Sequence, residues 1–268
     1  MTEQERGVIA GSDSIAMNAY ARHFDQVGIV PTHYLLLDED ETSLEVLADV
    51  PAILAREPFT RTRLWLTQSW FDRFPGDRSR CRLVEHTPFF RVASPPQFRM
   101  RFWKPAVRRE NLLWVKERLE SRSMGVQSPF SMSRLLHYWA KSTDQPLFCF
   151  RGTLTAALNL AWLKDYRTVQ LVGVDLTDGS HFYGKEAYQA IVERDNQRFQ
   201  TDTKLRHGTT LWVGDGFAPP VQPVLSRIAE LYRRTGRTLY VSNPESLLVR
   251  EGIIPHRSIV PQDLVATS

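Results

Sequence analysis

Cysteine, glycine-rich turns and long apolar runs are all scarce in this sequence, and each shortage excludes something. Cys81 and Cys149 are its only cysteines. They stand far apart with no CxxC or CxxH neighbour, so neither a zinc site nor a disulfide framework is indicated, and Cys149, inside PLFCF, reads as a buried strand residue. No apolar run approaches the ~20 residues of a membrane-spanning helix. The opening MTEQERGVIAG lacks the basic and apolar regions of a secretory signal, so the expected location is the cytoplasm. There are no internal repeats and no low-complexity tracts. A nucleotide-binding α/β domain normally opens with a strand and a Gly-rich turn that meets the phosphates. Here VIAGSDSIAMN follows the start almost at once, and the expectation is that this first strand and turn are missing from the chain.

What remains is ordinary material for a folded protein. The 268 residues, 42% hydrophobic and 24% charged, suffice for one large α/β domain or a core domain with a smaller appendage. A net charge of +4 suits anionic partners, among them nucleotide phosphates, phosphorylated glycolipid, an anionic membrane surface or nucleic acid. Charge alone does not choose among them.

Short apolar runs bounded by turn residues predict strands at HYLLLDED (33–40), RLWLTQSW (63–70), PLFCF (146–150), TVQLVGVD (168–175) and TLYVS (238–242). Helical spacing of apolar residues marks 153–165 and 224–234. The alternation is that of βαβ units and predicts a Rossmann-like, mostly parallel sheet flanked by helices. In NPESLLVREG (243–252) an Asn cap, a Pro in the first turn and a closing Gly predict a short helix. Ligands of open α/β sheets bind at the carboxyl ends of strands, so Asp38, Arg151, Asp175 and Asn243 are expected on one edge. Residues 76–145 are rich in Arg, Phe and Pro and read as an inserted lid, with helices at 111–122 and 131–141. The nucleotide-binding domain would then comprise 1–75 and 146–268.

RGTLTAALNLAWLKDYRTVQLVGVDLTDGSHFYG (151–184) followed by YVSNPESLLVREGIIP (240–255) resembles the bacterial lipo-oligosaccharide sialyltransferases and, more loosely, the motility accessory factor glycosyltransferases. The shared pattern is an Arg-x-Thr start to a helix, carried by Arg151 and Thr153, and a strand ending Gly-hydrophobic-Asp at Asp175. A Tyr follows eight residues on, at Tyr183, and a Pro-x-Ser-Leu-Leu segment comes after the last strand, beside Asn243. SIAMN (14–18) is similar to the strand whose terminal Asn contacts the nucleotide, here Asn18, and HYLLLDED to the next one, with Asp38 in the matching place.

The resemblance implies a single nucleotide-binding domain, a GT-A-like variant with a small inserted lid. It implies transfer of sialic acid from CMP-sialic acid, with inversion and without a metal or other cofactor, to a cell-surface glycan or glycolipid acceptor. Departure of the nucleotide leaves an oxocarbenium-like sugar and a negative phosphate, which calls for donors aimed at phosphate. Arg151 and Tyr183 match those donors. Thr177 stands where the pattern has a second such Tyr. A base must take the acceptor proton, and histidine suits neutral pH. Spacing from Tyr183 points to His207, with His181 a nearer rival. Counting back from Pro244 reaches Pro219 instead, which implies an insertion at GTTLWVGDGFAP or a lost base.

Each residue also has a plainer reading: Arg151 as a cap or solvated residue at a helix start, Asn18 as a turn residue, Asp175 as a loop organiser, Tyr183 as a core aromatic, Asp38 as part of a solvated DEDE run. That run is also similar to the acidic motif that holds a divalent ion on a diphosphate, which keeps a Mg²⁺-dependent pyrophosphokinase-like enzyme as an alternative beside a non-catalytic binding protein. The stretch FRMRFWKPAVRR (98–109) suits a membrane interface, single-stranded nucleic acid or an inward-packed lid. The resemblance favours peripheral contact with the inner membrane over nucleic acid. Oligomerisation is open.

Overall fold

The computed structural model describes residues 1–39, 41–87, 130–174, 176 and 220–260. It begins with an exposed helix, α1 (Glu3–Ala10), that buries no side chain. Its start is closed by a reciprocal cap, in which the Thr2 hydroxyl accepts from the Glu5 amide at 3.2 Å and the Glu5 carboxylate accepts from the Thr2 amide at 2.6 Å.

Four strands follow, β1 (Ile15–Met17), β2 (His33–Leu36), β3 (Arg63–Leu66) and β4 (Cys81–Leu83), and they pair in that order as a parallel sheet. Ala16 lies beside Tyr34, Leu35 beside Trp65, and Trp65 beside Arg82. Between the strands run a 3-10 turn (Asn18–His23), α2 (Phe24–Val27), α3 (Glu41–Val46), α4 (Val50–Leu54) and α5 (Gln68–Arg73). Every residue of β2 is buried, as expected of a central parallel strand covered on both faces, and this is why its sequence is a continuous apolar run rather than an alternation.

The period of two still decides which side each residue serves. Tyr34, Leu36, Leu64 and Leu66 pack with Val50 and Leu54 of α4 and Trp70 of α5. Leu35, Leu37 and Trp65 face the other way, onto Ala156, Ala157 and Leu160. Those three belong to a later helix. Along that later chain come α6 (Met132–Tyr138), α7 (Thr153–Leu163), β5 (Thr168–Leu171), α8 (Val221–Arg234), β6 (Thr238–Val241) and α9 (Leu247–Arg250). β5 and β6 form a second, two-stranded parallel sheet. Helix α7 sits between the two halves of the core, with its other side contributing Leu158 to a cluster that includes Ile228 of α8 and Val241 of β6. The fold is therefore α/β, with a parallel four-stranded sheet flanked by helices.

Several expected boundaries move. The strand expected at 63–70 stops at Leu66, because Thr67 turns the chain into α5. The PLFCF segment forms no strand: Leu147 makes one parallel bridge with His86, its amide donating to the Glu85 carbonyl at 2.8 Å and its carbonyl accepting from Thr87 at 2.8 Å. Beyond it, side chains replace a neighbouring strand. The Phe148 amide donates to Asn159 Oδ1 at 2.8 Å and the Phe150 amide to Thr155 Oγ1 at 2.7 Å. Cys149 is buried but lies in this irregular segment.

The helix expected over 243–252 is only α9, capped by Ser246 rather than Asn243, with Pro244 ahead of it. Residues 76–145 were set apart by composition, yet β4 joins the main sheet and Phe130, Leu135 and Trp139 enter the core with α8. The helix expected at 111–122 and the stretch 98–109 lie outside the described residues. Among the described residues no helix is long and apolar enough to cross a membrane.

Candidate active site

Three residues singled out in widely separated segments meet at the carboxyl edge of the main sheet. Asn18 follows β1, Asp38 lies two residues past β2, and Thr153 is the first residue of α7. The Thr153 hydroxyl oxygen stands 3.2 Å from Asn18 Oδ1 and 3.2 Å from Asp38 Oδ2. Thr153 is 2% exposed, whereas Asn18 and Asp38 are half-buried and can be reached from solvent. A threonine hydroxyl has one proton, so it serves one of these two oxygens at a time.

The backbone around the cluster is unusual. Asn18 has φ of 53° and Arg151 has φ of 56°, both left-handed, a conformation that concentrates at functional sites when it occurs outside glycine. Gly152, between Arg151 and Thr153, has φ of 141° and ψ of 160° and caps α7 without a side chain. That region is essentially restricted to glycine. No atom lies within 4 Å of where a Cβ would stand, so backbone conformation rather than crowding demands glycine there.

The supporting residues were not singled out in the sequence. Buried Tyr34 donates its hydroxyl to the Asn18 carbonyl and accepts from the Ala21 amide at 2.9 Å, pinning the turn that carries Asn18. The Trp70 indole donates to the Asp38 carbonyl at 2.9 Å. Glu39 accepts from the Ser69 amide at 3.0 Å. Burial alone would raise the Glu39 carboxyl, but hydrogen bonding by Thr67 and Ser69 outweighs it and holds the group below its ordinary range.

Cys149 lies beneath the cluster and donates its thiol to the Gly152 carbonyl at 3.6 Å. Burial first, and then the negative charge of Asp38, push this thiol up to about 12, against a smaller opposing effect of Gly152. It stays protonated and unreactive at neutral pH. A polar residue in an otherwise apolar strand, as in HYLLL, or a lone Asn in an apolar helix, was the signal that could have found such supports.

Asn243 lies past β6, in the second sheet, where its side-chain oxygen accepts from the Glu245 amide at 3.0 Å and shapes the turn into α9. In that turn Ser246 donates to the Val174 carbonyl at 2.7 Å, joining the ends of β6 and β5. Asp175, Thr177, His181, Tyr183 and His207 lie outside the described residues. Among the described residues, no group of three or more His, Cys, Asp or Glu stands together as a metal site. No family model matches the chain, and comparisons with characterised proteins and with solved structures give no significant match.

Proposed function

We propose that this protein is a nucleotide-sugar-dependent glycosyltransferase of the bacterial sialyltransferase type, with a Rossmann-like core of the GT-A-like kind. It would transfer sialic acid from CMP-sialic acid to a cell-surface glycan or glycolipid, inverting the anomeric centre without a metal. The observation that carries this reading is the meeting of Asn18, Asp38 and Thr153 at the carboxyl edge of a parallel sheet, where ligands of such sheets bind. These residues lie 135 and 115 positions apart along the chain, and the family resemblance assigns each of them to the substrate.

In this reading Arg151, held left-handed at the start of α7, meets the nucleotide phosphate with Tyr183. Both stabilise the leaving group, as donors aimed at developing charge do. Asp175, Thr177 and Asn243 line the remainder of the donor site. His207 takes the acceptor proton.

A thermal-shift panel of CMP, CMP-sialic acid, UDP-sugars and ATP, with and without EDTA, tests it. Stabilisation by cytidine nucleotides that ignores chelator is the expected result, with transfer lost and binding kept in His207→Ala. Stabilisation only by ATP with Mg²⁺ would overturn the assignment in favour of a pyrophosphokinase-like enzyme, and donor binding without transfer by the wild type would leave a binding protein.

A further inference from the structure

The geometry points to Thr155 as a positioning residue for the donor site, one that fixes the backbone carrying Arg151 and Thr153. The inference rests on the nucleotide-sugar reading and deepens it. Thr155 is 0% exposed, in the first turn of α7, so it acts through its neighbours and not on the ligand. Its hydroxyl meets the residues on either side of Arg151. The oxygen accepts from the Phe150 amide at 2.7 Å. Its single proton faces the Gly152 carbonyl at 3.2 Å and the Phe150 carbonyl at 3.4 Å. A hydroxyl bond from a helical threonine to a carbonyl three or four residues back is commonplace. The bond from Phe150 reaches further, from an amide five residues back, and closes the turn around Arg151.

That turn needs holding. Arg151 at φ of 56° is left-handed, a conformation that is unfavourable for a residue with a Cβ. The Cys149 thiol reaches the same Gly152 carbonyl at 3.6 Å, but a thiol is a weak donor. Asn159 holds the Phe148 amide, two residues upstream of the turn. Thr155 is therefore the side chain whose bonds span the turn itself, with Phe150 on one side of Arg151 and Gly152 on the other. Without its hydroxyl, the buried Phe150 amide loses this acceptor, and Arg151 can relax out of its left-handed conformation. The direction of the Arg151 side chain would change with it, as would the 3.2 Å approach of Thr153 to Asn18 and Asp38.

Titration calorimetry with CMP and CMP-sialic acid, together with transfer kinetics, tests the assignment on the full chain as wild type, Thr155→Val and Thr155→Ser, each below its unfolding transition. Valine keeps the shape and removes the hydroxyl, whereas serine keeps the hydroxyl. Loss of a hydrogen bond to a charged phosphate corresponds to about tenfold to a hundredfold in affinity. A loss of that order is expected for valine, with kcat falling as well, and serine should restore most of both. If the valine protein does not fold, Thr155→Cys decides, since its thiol fills the space but accepts only weakly, and its affinity should fall likewise. A folded valine or cysteine variant that is less stable yet binds and turns over like wild type would make Thr155 structural only. That result would overturn the proposal while leaving the transferase reading intact, and so would a serine variant as weak as valine. A wild type that binds neither CMP nor CMP-sialic acid would overturn both.

Discussion

Replacing Asn159 by alanine should destabilise the protein far more than the few atoms removed would suggest. Asn159 is 0% exposed, in the middle of α7. Its side-chain oxygen accepts from the Ala140 amide at 3.1 Å and the Phe148 amide at 2.8 Å, and its nitrogen donates to the Ala140 carbonyl at 3.1 Å. The alanine variant strands two buried donors and one acceptor, each costing about 1–3 kcal/mol, so a loss of ~4 kcal/mol is expected. That is a large share of the ~5–15 kcal/mol by which a folded domain is stable.

Urea unfolding followed by tryptophan fluorescence measures the difference. Asn159→Leu separates hydrogen bonding from volume, since it refills the space but satisfies none of the three groups. It should remain destabilised by a similar amount. A leucine variant as stable as wild type would refute the reasoning and show that packing, not polar satisfaction, governs this position.

Acid should weaken the fold through His33. Burial first, then Lys164 and Arg63, hold its pKa down to about 4, against a smaller opposing effect of Asp13. Its Nδ1 accepts from the Trp65 indole at 3.3 Å, as only the neutral ring can. The folded state thus keeps His33 neutral while the unfolded chain, with a pKa near ~6.5, takes up a proton. This contribution is complete above ~6.5 and is lost as pH falls towards 4, by about 3 kcal/mol in total. Urea midpoints between pH 7 and 4 should therefore fall more steeply for wild type than for His33→Gln, and parallel curves would exclude the assignment. Tyr34→Phe should weaken CMP binding as well as cost about 1 kcal/mol of stability, because the hydroxyl anchors the Asn18 turn. Loss of stability with unchanged affinity would make Tyr34 a structural residue only.

The parts legible in the sequence were those written in apolar pattern. β2 stood out because a strand covered on both faces must be apolar throughout, and α7 because Leu154, Ala157, Leu158 and Ala161 repeat at helical spacing. Asn18, Asp38 and Thr153 were singled out by resemblance to a family rather than by apolar pattern, and that they meet shows only in the fold. β4 was hidden because only three of its residues pair and two of them are exposed, so its composition blended with the Arg-rich stretch that follows. PLFCF looked like a strand because strand pairing and side-chain tethering satisfy the same amides, and apolar pattern does not distinguish the two. The cap of α9 moved from Asn243 to Ser246 because the asparagine was used one turn earlier, on Glu245.

Helix α7 is buried on nearly every side, and a rod that is apolar all round has no preferred rotation about its own axis on hydrophobic grounds alone. Thr155 and Asn159, four residues apart and therefore on one stripe, act as the key that stops it turning: each engages the chain between Ala140 and Phe150 at a single azimuth. Thr153 begins the same rod, so whatever sets the angle of the helix also aims the hydroxyl that Asn18 and Asp38 meet.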